Sequence, residues 1–204
     1  MRVTIFDYGA GNLHSLAKAL EGNSMTVSVE TDPVRCVDTD VLVLPGVGAF
    51  GAAADRLAPG RAIMRDAICS GLPTIGICLG MQLLFESSDE GGSAGLGIIP
   101  GRVTRLQAHR VPQIGWNDVI PVESERLFAT APLPIAYYAN SYVCRPVDEH
   151  AVIAWTTHEE DRFPAAVRSG NVVGVQFHPE KSSADGVRFL QTCLLDAKRV
   201  GVTR

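Results

Sequence analysis

The sequence predicts an α/β fold, in which helices flank a mostly parallel sheet in three layers and the sheet has an antiparallel extension. Strand-like and helical stretches alternate through the first half of the chain, whereas strand-like stretches follow one another in the second half. A length of 204 residues and a hydrophobic content of 46% suffice for one substantial core. We therefore expect a single domain over residues 1–204.

In the first half, short apolar stretches predict strands at Val3–Asp7, Thr26–Glu30, Asp40–Leu44 and Pro73–Ile77. Apolar residues at helical spacing predict helices at Asn12–Glu21, Gly51–Cys69 and Leu79–Ser87. Alternation of this kind predicts parallel strands wrapped by helices.

The second half changes character. Strand candidates lie at Arg102–Gln107, Ile135–Val143, Ala151–Trp155, Ala165–Arg168 and Val172–Phe177, before a terminal helix at Ser183–Arg199. We interpret these strands as the antiparallel extension of the same fold. The Gly/Ser stretch Ser87–Gly97 is short enough for an ordinary surface loop, so it does not indicate a domain boundary.

Composition excludes several classes of function. The formal net charge is −4 and no cluster of Lys or Arg occurs, which disfavours nucleic-acid binding. No apolar run approaches the roughly 20 residues of a membrane span, and the amino terminus has the pattern of a strand, not of a signal peptide. The 5 cysteines lack CxxC spacing and indicate neither disulfides nor a metal site. We expect a cytoplasmic protein that acts on small metabolites or protein partners.

The stretch Gly76-Ile-Cys78-Leu-Gly80 lies where an apolar strand gives way to a helical pattern. This is the context of the nucleophile elbow, with cysteine in place of serine, and the two glycines leave room for its strained turn. The helix start favours a thiolate, and the backbone N–H of Leu79 is placed to bind an oxyanion. The alternative for Cys78 is a small buried hydrophobe, and this stretch alone does not decide between them.

A second apolar strand ends in a histidine. His178 is followed by Pro179 and, two residues on, by the carboxylate of Glu180. A cysteine nucleophile needs a base to take its proton and an acid to orient that base. Because His178 and Glu180 lie on the same side of an extended chain, we expect Nδ1 of His178 to contact the carboxylate and Nε2 to face the sulfur.

Two glycine-rich turns follow predicted strands. Gly46–Gly51 matches the dinucleotide-binding pattern, but Asp66, the acidic residue about 20 positions on, falls inside a helix, where it could not bind a ribose. The run beginning at Pro45 can instead present backbone N–H groups to an anion beside the nucleophile, unless it is a plain turn. Tyr8–Asn12 is a weak match to a phosphate loop, and a turn with a partner contact is as plausible.

Two motifs together closely resemble those of class I glutamine amidotransferases, in which a Cys-His-Glu triad releases ammonia from glutamine. They are Gly-Ile-Cys78-Leu-Gly-Met-Gln82 and His178-Pro-Glu180-Lys-Ser-Ser183. Within that class, four segments look like the glutaminase subunits of imidazole glycerol phosphate synthases, of histidine biosynthesis: Phe6–Leu13, Pro45–Phe50, Pro112–Asn117 and Phe177–Ser182. The resemblance spans nearly the whole chain and implies the class I amidotransferase fold, without a cofactor or a metal.

The resemblance implies a role for each triad residue. Cys78 would attack the side-chain amide of L-glutamine, and His178 would carry the proton to the leaving ammonia. Glu180 would orient His178, and water would then hydrolyse the glutamyl thioester.

The resemblance also implies the groups around the triad. Oxyanion donors would come from the mobile stretch at Gly46 and Val47 and from the fixed N–H of Leu79. The amino-acid end of glutamine would be held by Gln82, Ser141 and Tyr142. The chain departs from the family at Asn140, where a histidine is usual, so this position does not titrate near neutral pH.

In the family, ammonia passes into a (β/α)8 cyclase subunit that makes imidazole glycerol phosphate and an aminoimidazole carboxamide ribotide. The resemblance therefore implies a heterodimer, with a partner-facing set of Asn12, Trp116, Tyr138 and Lys181. Family members show very low glutaminase activity without the partner's ligand. We expect ligand binding in the cyclase to shift the population of the Pro45–Val47 backbone.

Three other functions fit parts of the pattern. A glutaminase subunit for pyridoxal phosphate or anthranilate synthesis would run the same chemistry, although the Gly-Trp-Asn and Gly-Val-Gly-Ala-Phe segments favour the histidine pathway. A cysteine-elbow peptidase or stress protease needs no glutamate two residues after its histidine. A non-catalytic interaction subunit would not need all three triad residues.

Overall fold

The structure is a computed structural model that describes residues 1–9, 13–22, 25–123 and 125–201, with side chains up to residue 197. Its strands in chain order are β1 (Arg2–Phe6), β2 (Thr26–Glu30), β3 (Val41–Leu44), β4 (Thr74–Ile77), β5 (Ser87–Ser88), β6 (Gly101–Arg105), β7 (Gln113–Asp118), β8 (Ile120–Pro121), β9 (Ile135–Asn140), β10 (Tyr142–Pro146), β11 (Val152–His158), β12 (Asp161–Ser169) and β13 (Val172–Val175). Its α-helices are α1 (His14–Leu20), α2 (Phe50–Leu57), α3 (Arg61–Cys69), α4 (Leu79–Gln82), α5 (Arg126–Thr130) and α6 (Ser183–Gly201). Short 3₁₀ turns lie at Arg35–Val37, Ala58–Gly60, Glu149–Ala151 and Pro179–Lys181.

One eight-stranded sheet forms the centre, in the order β2-β1-β3-β4-β13-β12-β11-β8. The strands from β2 to β13 pair in parallel, and β12, β11 and β8 continue the sheet with antiparallel pairs. Two smaller sheets accompany it, β10-β6-β5 and β7-β9. The prediction of a mostly parallel sheet with an antiparallel extension is confirmed.

Both faces of the sheet are buried, which gives the three layers. In β3, Val41 and Val43 enter one apolar cluster while Leu42 and Leu44 enter the other, and none of the four is exposed. The first cluster includes apolar residues of α1, α5 and α6, and the second includes those of α2, α3 and α4. Strands covered on both faces are continuous apolar runs, which explains why β3 and β4 could be recognised in the sequence.

The strand β13 lies in the parallel part of the sheet, directly beside β4, so the prediction that this segment belongs to the antiparallel extension is wrong. Val175 pairs with Ile77, and the N–H of Cys78 donates to the carbonyl of Val175 at 2.7 Å. Two parallel strands end at the same edge of a sheet. The residues that follow these strands, including Cys78 and His178, therefore meet.

The predicted strand Ile135–Val143 is two strands that belong to different sheets. β9 pairs with β7, and β10 pairs with β6. Ser141 lies at the break, where its carbonyl accepts from the N–H of Leu106. The prediction also omitted β7 and α5, because neither stretch has a strong apolar period.

The predicted helix Gly51–Cys69 is interrupted by the 3₁₀ turn at Ala58–Gly60. Pro59 has no N–H to donate to the preceding turn. Gly60 packs so tightly that a Cβ there would lie 2.7 Å from the Cβ of Pro33.

The predicted helix Leu79–Ser87 ends after one turn, at Gln82. The carbonyls of residues 83–86 accept instead from N–H groups of residues 95–99, for example Leu96 to Leu83 at 2.7 Å. A distant loop thus takes the acceptors that would have continued the helix. Cys78 consequently faces the free N–H groups of a one-turn helix. Such a short helix has only a small dipole with which to stabilise a thiolate.

Among the described residues, no helix has both the length and the apolar character needed to cross a membrane. The single domain over residues 1–204 and the cytoplasmic location stay predictions.

Candidate active site

Cys78 occupies a strained turn between β4 and α4. Its φ is 49° and its ψ is −104°, a region that L-residues rarely adopt. Glycine is required on both sides. A Cβ on Gly76 would lie 2.7 Å from the carbonyl oxygen of Gly80, and one on Gly80 would lie 2.0 Å from that of Leu44. The turn is therefore the elbow that the sequence predicts.

The sulfur of Cys78 lies among polar groups although the residue is only 5% exposed. The imidazole of His178 lies beside it, and Nε2 of Gln176 donates to it at 3.4 Å. The carbonyl oxygen of Ala139 lies 3.9 Å away. These contacts favour a reactive thiol over the small buried hydrophobe that the sequence left open.

His178 is oriented by several hydrogen bonds. Its Nδ1 lies 2.8 Å from Oε1 of Glu180, so the expected contact is present. The chain between them is a 3₁₀ turn and not extended, which corrects the reasoning behind that expectation. The N–H of His178 donates to the carbonyl of Tyr137, and its own carbonyl accepts from Oγ of Ser182.

The electrostatics of the site favour a protonated His178. Burial alone lowers the pKa of its imidazole, but the hydrogen bond and charge of Cys78, followed by those of Glu180, outweigh burial and raise this pKa to about 10. With Nδ1 bound to Glu180, Nε2 is the nitrogen that faces the sulfur. The arrangement supports an imidazolium beside the sulfur of Cys78.

The Pro45–Gly48 stretch passes close to the two reacting side chains. A Cβ on Gly46 would lie 3.0 Å from Cε1 of His178 and 3.1 Å from Cβ of Cys78. Only glycine lets the backbone come this near. The carbonyl of Pro45 accepts a hydrogen bond from the buried hydroxyl of Tyr8, which anchors the start of the stretch.

A cavity of about 260 Å³ opens in front of the sulfur. It brings together most of the residues that the sequence singled out: Gly46, Val47, Cys78, Leu79, Gln82, Ser141, Tyr142, His178 and Lys181. Glu180 lies behind His178 and does not line the cavity. The N–H of Leu79 is the first of α4 and has no acceptor within the helix, so it is available to an oxyanion.

Two further residues of the site, Glu90 and Gln176, escaped the sequence analysis, and a third, Asn140, entered it without a role. Glu90 lines the cavity, and its Oε2 accepts from the N–H of Phe50 at 2.7 Å. Gln176 contacts the sulfur, and Asn140 lines the cavity while its Nδ2 donates to the carbonyl of Tyr142. Gln176 had one signal, a lone polar residue in an apolar strand. Asn140 was noted only as a departure, and Glu90 had no signal in its loop.

The residues expected to face a partner differ in their exposure. Trp116 is 55% exposed and its ring contacts that of Tyr137 edge-on, at 6.3 Å between centroids. Tyr138 is fully buried, so the expectation that it faces a partner is wrong. Side chains alternate along β9, and Tyr137 is the tyrosine on the same face as Trp116. Lys181 is exposed, and Asn12 lies outside the described residues.

Comparisons with known proteins identify the family and the fold of the chain. The family model "Glutamine amidotransferase class-I" matches residues 4–197. Solved structures with this fold include a glutamine amidotransferase, with a TM-score of 0.72, 18% identity and coverage of 94% of this chain and 98% of that chain. PurLQS from Thermotoga maritima has a TM-score of 0.67 and 22% identity, and the match covers 96% of this chain and 98% of that one.

Curated relatives are more similar in sequence. The imidazole glycerol phosphate synthase subunit HisH of Halobacterium salinarum is 43% identical over 198 residues, covering 93% of this chain and 90% of that protein. The HisH subunit of Symbiobacterium thermophilum is 45% identical over 195 residues, with coverages of 93% and 91%. The chain thus belongs to the class I glutamine amidotransferase family and, within it, to the HisH glutaminase subunits of imidazole glycerol phosphate synthase.

Proposed function

We propose that this chain hydrolyses L-glutamine to glutamate and ammonia with Cys78 as its nucleophile, and that the ammonia serves a synthase partner. The observation that carries the proposal is the contact chain from Glu180 through His178 to the sulfur of Cys78, at the floor of a cavity. A thiolate paired with an imidazolium is the form of cysteine that attacks carbonyl carbon at neutral pH.

In the first half of the reaction, Sγ of Cys78 bonds to the carbon of the glutamine side-chain amide, and the electron pair of the C=O bond moves to oxygen. The N–H of Leu79 and an N–H of the Gly46–Val47 stretch bind that oxygen. The C–N bond then breaks as Nε2 of His178 gives its proton to nitrogen. Ammonia leaves, and a glutamyl thioester remains on Cys78.

In the second half, His178 removes a proton from water as the water oxygen attacks the thioester carbon. The C–S bond breaks, glutamate leaves and the thiolate returns. Glu180 keeps the ring in the tautomer and orientation that both halves need, through its 2.8 Å contact with Nδ1.

The cavity also supplies groups for the amino-acid end of glutamine. Gln82, Ser141 and Tyr142 line its wall, as the resemblance implies. We add Glu90, whose carboxylate faces the same cavity and carries the charge that attracts an α-ammonium group. Its bond to the N–H of Phe50 holds that carboxylate in place.

The partner we propose is a (β/α)8 cyclase subunit in a heterodimer, which uses the ammonia to make imidazole glycerol phosphate and an aminoimidazole carboxamide ribotide. The relatives are named as subunits of a synthase. The outer face of β7 and β9 exposes Ile114, Trp116 and Ile135, at 67%, 55% and 47%. Contiguous apolar surface of this kind marks a protein interface. Lys181 is exposed, lines the cavity and follows the triad directly.

Activation by that partner would act on the Pro45–Val47 backbone. This stretch contacts both Cys78 and His178 and is anchored through Pro45 to Tyr8. A cyclase ligand that favours one arrangement of the stretch would raise glutaminase turnover by shifting its population.

The test measures glutamate and ammonia release from L-glutamine by the chain alone, with the cyclase, and with the cyclase and its ribotide. Each condition is repeated with Cys78→Ala and, as a matched control, Cys69→Ala, which removes an exposed cysteine. We expect activity that requires partner and ligand, is lost in Cys78→Ala and persists in Cys69→Ala. Turnover that survives in Cys78→Ala would overturn the proposal.

A further inference from the structure

Gln176 is a polar side chain in a place where apolar ones are the rule. It follows β13, lies between Val175 and Phe177 and is fully buried. Its position beside the end of β4 brings its amide to the sulfur of Cys78, with Nε2 3.4 Å from Sγ. A buried amide is costly unless each end has a partner, so its neighbours decide what it does.

The direction of this amide follows from a chain of hydrogen bonds that begins at a backbone carbonyl. The oxygen of Tyr142 can only accept, so the group of Gln82 that lies 3.0 Å from it is the amide N–H₂. The same nitrogen lies 3.3 Å from the amide of Gln176, which must present its oxygen there. The nitrogen of Gln176 is therefore the end that faces Cys78.

We propose that Gln176 is a second hydrogen-bond donor to the Cys78 thiolate, in addition to His178, and that the Tyr142–Gln82–Gln176 chain keeps that donor aimed at the sulfur. An N–H that points at sulfur stabilises the charged form of the nucleophile over the neutral thiol. The proposal rests on Cys78 being the nucleophile of the proposed function. It adds a residue two positions before His178 to the catalytic groups.

The same chain links the nucleophile to the substrate side of the cavity. Gln82 and Tyr142 both line it, and Gln82 bridges from Tyr142 to Gln176. A substrate that moved Gln82 would also move the donor on the sulfur. Because Gln176 contacts the sulfur directly, loss of its amide should affect the reactivity of Cys78 even when no glutamine is present.

The test follows alkylation of Cys78 by iodoacetamide as a function of pH, with the modified peptide identified by mass spectrometry. It uses a Cys69→Ser background, because Cys69 is an exposed thiol whereas Cys36, Cys144 and Cys193 are buried. In Gln176→Leu, which removes the donor, we expect the midpoint of the profile to rise by about one pH unit and kcat to fall about tenfold.

Two further variants separate this role from packing. Gln176→Glu keeps the shape but replaces the N–H₂ donor with a carboxyl group, which repels the thiolate once it ionises, so its midpoint should also rise. Gln113→Leu removes another buried amide, one whose side-chain N and O have no hydrogen-bond partner within the described residues, and its midpoint should not move. Thermal unfolding of all variants reports whether they fold.

An unchanged midpoint in folded Gln176→Leu would overturn the proposal, whether or not kcat falls. The alkylation profile is independent of turnover. Failure of the proposed function would appear separately, as glutaminase activity that does not depend on Cys78.

Discussion

Two regions beside Cys78, which we call the catalytic wall and the partner wall, are built in different ways. The catalytic wall consists of Cys78, Gln176 and His178, on or next to the ends of β4 and β13; their side chains are buried and hydrogen-bonded to one another or to Glu180. The partner wall consists of β7 and β9. There Gln113 and Asn140, which pair across the two strands, leave buried amide atoms without a hydrogen-bond partner in the described part of the chain.

This difference indicates which of the two regions is held together by contacts within one chain. A buried polar atom without a partner costs about 1–3 kcal/mol, and the exposed apolar side chains of β7 and β9 gain nothing from water. The catalytic wall forms its hydrogen bonds within one chain, although Oε2 of Glu180, behind it, has no hydrogen-bond partner within the described residues. The exposed apolar side chains on the outer face of the partner wall are the surface that binding of another molecule would cover.

The largest effect should come from Glu180→Gln, which breaks the catalytic wall without changing its shape. The amide can donate to Nδ1 and leave the ring in the wrong tautomer, so we expect kcat to fall roughly 10³-fold. Asp148→Asn is the matched control, because Asp148 holds Nδ1 of the exposed His150 at the same 2.8 Å outside the site. A comparable loss in both variants would contradict the assignment.

The same variant should change the pH dependence of stability. Folding raises the pKa of His178 from 6.5 to about 10, so its protonated form stabilises the fold fully below pH 6.5 and this contribution is lost as pH rises through about 10. Removing the carboxylate lowers that pKa, which moves the loss to lower pH. Urea unfolding across this window measures the shift, and NMR titration of the His178 ring measures the pKa directly.

A smaller but still large effect is expected from Gly46→Ala, which pushes the proposed oxyanion stretch, Gly46–Val47, away from the catalytic wall. The new Cβ would lie 2.9 Å from the carbonyl oxygen of Ile77 and close to both reacting side chains. A displacement of about 1 Å costs roughly 10²-fold in kcat. Gly22→Ala is the control, since its Cβ would make an ordinary contact of 3.5 Å with Met25. Turnover that stayed within a few fold would show that the stretch does not need this approach.

The partner wall is tested by Trp116→Ala. Its side chain is 55% exposed, so its removal should leave the unfolding temperature nearly unchanged. Large aromatic residues dominate interface energies, and we expect the Kd for the proposed cyclase partner to rise by roughly 30-fold. Calorimetric titration measures it. A loss of stability without a loss of affinity would mean that Trp116 serves the fold and not the interface.

The sequence predicted the features that depend on neighbouring residues. The apolar runs of β3 and β4, the glycines around Cys78 and the His-Pro-Glu turn are local patterns, and they indicated both the fold class and the triad. The roles of the surrounding residues came from family resemblance. The position of β13 beside β4 was not predictable in this way, because it joins segments almost 100 residues apart.

Other errors have the same origin. The helix after Cys78 stops because N–H groups from residues 95–99 take its carbonyls, an interaction that no local period reports. The error at Tyr138 was avoidable, since strand alternation in β9 places Tyr137 and not Tyr138 on the face of Trp116. Gln176 is a single polar residue in an apolar strand, and only the structure places it against the sulfur.

The smallest effect is expected from Tyr138→Phe, which tests whether a buried residue of the partner wall contributes to binding of the partner. The ring is fully buried and packs edge-on against Phe177, while its hydroxyl donates to the carbonyl of Asp118 over a long 3.4 Å. Loss of that bond should lower the free energy of unfolding by about 1 kcal/mol or less and leave the Kd for the cyclase unchanged. Tyr137→Ala, on the exposed face, should do the opposite and weaken the cyclase complex while the fold persists. If Tyr138→Phe weakened the complex as much as Trp116→Ala, the buried layer of β9 would transmit binding to the core, and the separation of the two walls would not hold.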